Sequence, residues 1–199
     1  MLHTTFRKAK EVGACVKSYR KMVKALGGVK KYGEDTPIPL DKVLEVCGLD
    51  DTLWTLRIVI EPAEREIRLY ACACAERVLP LFESKYPDNK CPRQAIEIAR
   101  KFANGEVTKE ELSSACAAAW GAAAGAADFL AGATWAAVGS AWAAGATWAA
   151  ARAARAAWAA ARAARAALTA GSAWAAARAA DEAAGEWQKA RLIEMLNKK

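Results

Sequence analysis

Apolar positions recur at helical spacing through the first half of this chain, and polar runs with Gly or Pro separate them. Phe6, Ala9, Val12, Val16, Tyr19, Met22, Val23 and Leu26 keep that spacing with basic residues between them. They predict one helix over 5–26, with Gly13 inside it and Gly27-Gly28 stopping it. Residues 29–40, which include Thr36-Pro37-Ile38-Pro39, read as a loop. Asp41 is placed to cap a short helix over 42–47 that ends at Gly48. Asp50 or Asp51 caps the next, which carries Leu53, Trp54, Leu56, Ile58 and Val59. The apolar run 53–60 has the length of a strand, but both its ends carry helix signals, so helix is preferred.

Pro62 suits the first turn of a helix reaching about Leu79, where Pro80, lacking an N–H, should kink or end it. Residues 85–90 form a turn. Pro92 opens a further helix through Phe102, and Asn104-Gly105 closes it. Thr108 with Glu111 is a capping-box start. Residues 1–107 thus give about five helices and no convincing strand.

The remainder is built differently. From Ala115 to Ala180, 38 of 66 residues are Ala, the strongest helix former, and no Pro follows Pro92. Helix is the expectation throughout, with at least one reversal. An unbroken helix from Thr108 to Leu196 would be ~130 Å long at ~1.5 Å per residue. The break is expected near Gly145. The expected fold is all-α: a helical bundle with a long Ala-rich C-terminal helical hairpin or extension. Residues 1–107 would form the core, with a basic N-terminal helix, and 108–199 an Ala-rich region packed on it.

Within the Ala-rich part, Trp148/Arg152, Trp158/Arg162, Trp174/Arg178 and Trp187/Arg191 are i,i+4 pairs, each on one helix face. Residues 148–157 and 158–167 are identical copies. Trp148, Arg152, Arg155, Trp158, Arg162 and Arg165 share one side of the helical wheel, opposite a face that is almost only Ala. With Trp174 and Arg178 they are the candidate partner-binding residues, since Trp and Arg are frequent interface anchors. An intramolecular packing seam is the competing reading. Residues 129–151 lack charge, but Ala, Gly, Thr and Ser give them little apolar drive, so a membrane span is disfavoured.

The net charge of +7 is concentrated. Residues 1–31 hold nine Lys/Arg and one acid, +8, leaving −1 for the rest. Arg7, Lys8, Lys10, Lys17, Arg20, Lys21 and Lys24 are therefore the candidates for following phosphates, should the partner be nucleic acid. Chemistry is harder to find. Phosphate-binding loops, H-E-x-x-H and G-x-S-x-G are absent. His3 is the only His, near a terminus expected to be mobile. The six Cys include no C-x-x-C, and Cys72 and Cys74 read as small buried residues. Glu61, Glu64 and Glu66 read as a helix N-terminal turn, and Asp50-Asp51 as a cap. No catalytic residue, metal site or cofactor is expected, and without a signal peptide the expected setting is the cytoplasm.

Several segments carry a resemblance. They are Gly48-Leu49-Asp50-Asp51-Thr52-Leu53-Trp54-Thr55-Leu56-Arg57, the run from Glu64 to Pro80, Tyr86-Pro87-Asp88, Ala95-Ile96-Glu97, the run from Arg100 to Glu106, and Ala117-Ala118-Ala119-Trp120. Over about 48–125 the chain resembles the Imm-five-like immunity protein family of bacteria and phages. The resemblance implies a non-enzymatic protein that neutralises a toxin, or in a phage a host defence component, by binding it. A nucleic-acid binder and a helical scaffold that forms homo-oligomers are the alternatives.

Overall fold

A computed structural model describes residues 1–83, 86–125 and 174–197, and among these the chain is overwhelmingly helical. It divides into two compact units, 1–63 with 192–199, and 64–191.

The first unit opens with a two-residue strand β1 (His3–Thr4), paired antiparallel with β2 (Ile38–Pro39) so that His3 faces Pro39 and Thr4 faces Ile38. No strand was expected here. The pairing is set from outside the strands. The Leu2 carbonyl accepts from the Leu40 N–H at 3.0 Å, and the His3 carbonyl from the Ile60 N–H at 2.9 Å. The terminus is also tied down rather than mobile. Both Glu61 carboxylate oxygens engage His3, one accepting the backbone N–H at 2.8 Å and the other lying 2.6 Å from Nδ1.

The helix expected over 5–26 is two helices, α1 (Phe6–Glu11) and α2 (Val16–Ala25). Gly13, at φ +70°, is the reason. Its N–H donates to the Lys10 carbonyl at 3.1 Å and that of Ala14 to Ala9 at 2.8 Å. This is the Schellman closure, which uses a left-handed residue to satisfy the last helical carbonyls. The same closure ends α2, through Gly27 to Lys24 and Gly28 to Val23.

A short α3 (Val29–Tyr32) lies within the expected loop. Then come α4 (Leu40–Cys47), α5 (Leu49–Thr55) and a 3-10 turn (Leu56–Ile58), so the 53–60 run is helical as far as Ile58. Pro39, not Asp41, occupies the N-cap of α4. Gly48, at φ +87°, ends α4 and starts α5, which puts Asp50 and Asp51 inside the first turn of α5 instead of at its cap. Phe6, Met22, Ile38 and Val43 form a core, with Tyr19, Val23, Leu26 and Tyr32 packed around it. The Phe6 ring meets Tyr19 and Tyr32 edge-on at 5.4 and 6.0 Å.

The second unit begins with α6 (Glu64–Glu83), which runs through Pro80 rather than ending there. A Pro in a helix interior costs ~3 kcal/mol. Leu79, beside it, is fully buried in a cluster with Cys72, Ala75, Ala95, Ile96, Ala99 and Leu112. Each buried aliphatic of that size contributes ~1.5–3 kcal/mol, so the packing outweighs the proline. α7 (Cys91–Ala103) packs on both α6 and α8 (Lys109–Gly125). Arg93 clamps the end of α6 by donating from Nε and Nη2 to the two Glu83 oxygens, each at 2.6 Å. Gly105 closes α7 with a third Schellman motif. The expected capping box starts α8: Glu111 accepts the Thr108 N–H at 2.7 Å, and Thr108 Oγ1 accepts the Glu111 N–H at 3.2 Å.

α9 (Trp174–Asn197) is the last helix. The expected reversal near Gly145 and the uncharged run 129–151 lie outside the described residues. Among the described residues no helix is long and apolar enough to cross a membrane.

Candidate interaction surface

The break at Gly13 decides what α2 shows. A new helix starts at Val16, and its phase no longer follows that of α1. Met22 turns inward, buried, with Tyr19, Val23 and Leu26 half-buried beside it. Lys17, Arg20, Lys21 and Lys24 are all exposed. Their i, i+3, i+4, i+7 spacing puts them on one stripe. α2 contains no acid to neutralise them.

The other three basic candidates are held by the fold. Arg7 donates to both Asp35 oxygens, Nε at 2.5 Å and Nη2 at 2.7 Å, and lies 3.4 Å from Glu34. The hydrogen bond from Arg7, followed by its charge, holds the Asp35 carboxyl below its ordinary range despite some desolvation. Lys8 donates from Nζ to the Val59 carbonyl at 3.0 Å, and Lys10 stands 3.8 Å from Glu34. The structure thus splits the seven cations into three bound at α1 and four presented by α2.

Beside the stripe runs an open groove of about 740 Å³. Val16, Tyr19, Val23 and Val29 contribute apolar lining, while Lys10, Arg20, Lys24 and Glu34 contribute charge. Val16 is 63 % exposed and nearby Val12 47 %. Both belong to the apolar face that the sequence pattern predicts for a single helix. The groove was missed because a single helix through Gly13 carries one continuous apolar face. Gly13 itself was the available signal.

A second feature lies at the start of α2. Cys15 and Cys47 both line a small cleft of about 50 Å³, together with Ser18, Tyr19, Asp51 and Trp54. Cys15 is the N-cap of α2. Hydrogen bonding from Ser18, backbone first and then side chain, with the Lys17 N–H, lowers its thiol pKa. Cys47 donates to the Ser18 carbonyl at 3.6 Å, and burial pushes its thiol up. Ser18 in turn donates to Asp51 at 2.7 Å. The Asp51 carboxylate therefore bonds across to α2 besides lying in the first turn of α5.

In the second unit, Cys72 and Cys74 are buried, and desolvation raises their thiols to about 12 and about 11. Tyr70 donates to the Gln188 carbonyl at 3.3 Å. Arg77 stacks over the Trp187 ring at 4.7 Å, so α6 supplies this Trp with a cation. Trp187 is half-buried. Of the Trp/Arg series, Trp187 thus meets a cation from α6 while staying half-buried. Trp148, Arg152, Arg155, Trp158, Arg162 and Arg165 lie outside the described residues, and Trp174 and Arg178 sit on α9 beyond the described side chains. Among the described residues, no three His, Cys, Asp or Glu gather closely enough to hold a metal ion.

Comparison with known proteins finds no match among curated proteins or solved structures. A family model does match, over a segment that begins just before α6 and takes in α6, α7 and α8. Residues 59–148 of the chain match the family described as Imm-5 like putative immunity protein.

Proposed function

We propose that this chain is a non-enzymatic, immunity-like inhibitor that binds and occludes a protein partner, either a toxin or, in a phage, a host defence component. The family match over 59–148 carries this reading. The exposed apolar and basic face of α2 supports it, since protein interfaces combine an apolar centre with a charged rim. The Trp/Arg ladder of the Ala-rich part supplies two residue types that dominate binding energy at interfaces, and it belongs to the same proposal.

Affinity capture with the full chain from cells of its natural setting, followed by mass spectrometry, tests the reading. One protein recovered in stoichiometric amount is the expected result. Enrichment of no protein would contradict it. The stripe Lys17, Arg20, Lys21 and Lys24 favours nucleic acid as the second reading. Four phosphate contacts would make binding fall steeply with salt, with a log–log slope of about −3 to −4 on duplex DNA.

A further inference from the structure

We propose that the groove along α2 is a docking site for an acidic amphipathic helix of a partner protein. This rests on the protein-binding reading above and adds the face used and the chemistry of the partner.

Three observations carry it. First, Val16 is 63 % exposed in a groove also lined by Tyr19 and Val23. An exposed aliphatic that continues an apolar concavity extends the patch a partner can cover. Second, the charged rim is lopsided. Arg20 and Lys24 stand one helical turn apart on α2 and both line the groove. Among the described residues Glu34 is the one acid lining it, and Lys10 and Arg7 already meet its charge. The groove therefore offers net positive charge, and charge complementarity selects a negative occupant. Third, the apolar positions 16, 19 and 23 repeat every three to four residues. That is the ridge spacing into which another helix packs, and it favours a helix over an extended peptide. Strand addition has little to template it, because β1 and β2 are two residues each and the His3 carbonyl already accepts from Ile60.

Nucleic acid fits the same groove less well. Aliphatic lining offers phosphates nothing, and base stacking requires an exposed aromatic face. Tyr19 is half-buried, with its ring edge-on to Phe6 at 5.4 Å.

The test uses the full chain and three labelled probes, read by fluorescence anisotropy. One is a synthetic helical peptide of about five turns with Leu on one face and Glu flanking it. The second is the same composition scrambled, and the third a short DNA duplex. The patterned peptide should bind at least about tenfold tighter than the scrambled one, a difference of ~1.4 kcal/mol. Val16→Glu, and separately the pair Arg20→Glu and Lys24→Glu, should each weaken it by a similar factor, about tenfold. Lys17→Glu, on the stripe outside the groove, should change it by less than about threefold. Circular dichroism confirms that each variant folds, and the two groove variants act independently of each other.

Equal binding of both peptides, absence of peptide binding, or tighter binding of DNA that Val16→Glu leaves intact would each overturn the proposal. The protein captured as above separates the two claims. If Val16→Glu and the Arg20/Lys24 pair still bind it undiminished, the groove assignment fails while protein binding stands. If nothing is captured, the broader reading fails.

Discussion

Cys15 and Cys72 illustrate how far neighbours set the chemistry of a residue. Both are thiols on helices. Cys15 sits at the exposed N-terminus of α2, where first-turn N–H groups stabilise the thiolate. Cys72 is fully buried against α7, and burial pushes its thiol up to about 12. Alkylation by iodoacetamide near pH 8, mapped by mass spectrometry, should modify Cys15 first. Cys72 and Cys74 should react only after denaturation. Comparable labelling of Cys72 in the folded protein would show that the α6–α7 core is open. Residue type alone marks Cys72 and Cys74 as small buried residues, since C-x-C spacing puts them on different sides of their helix. Cys15 was not legible in the same way, because its special position depends on a helix start that follows a break. His3 was illegible for a different reason. Its partner Glu61 lies 58 positions away, and no local pattern links the two.

At the scale of elements, glycine controls the first unit. A Cβ at Gly13 would meet nothing within 4 Å, so only the backbone conformation, φ +70°, resists a side chain there. Gly13→Ala should therefore cost ~1–2 kcal/mol, the penalty of placing an L-residue in the left-handed region. Urea unfolding would measure it. No loss, or a gain, would mean that α1 and α2 can merge into the single helix that the apolar pattern describes. Where capping chemistry is local, the sequence displays it directly. Thr108 and Glu111 form the expected box, and Gly105 closes α7 where expected. Where two local signals compete, tertiary packing and closure decide between them. Eight periodic apolar positions point to one helix through Gly13, and Pro80 points to a kink or an end of α6. The structure breaks the first helix at Gly13 and continues α6 past Pro80. A Schellman closure satisfies several orphan carbonyls at once, and core packing exceeds the cost of one proline.

For the whole molecule, the sequence placed the basic excess correctly in residues 1–31 but could not sort it. Three of its cations are bound by Asp35, Glu34 and the Val59 carbonyl, and four form the stripe on α2. That division follows from where tertiary contacts bring the acids, which composition does not encode. The proposed action needs no chemistry, only a surface that covers another protein. The most direct measurement is a titration of the captured partner's own activity with the purified full chain. Activity should fall linearly and vanish at one chain per partner, with the masses of both proteins unchanged. Loss at a small fraction of that ratio, or a mass change in the partner, would mean catalytic action and would contradict the account.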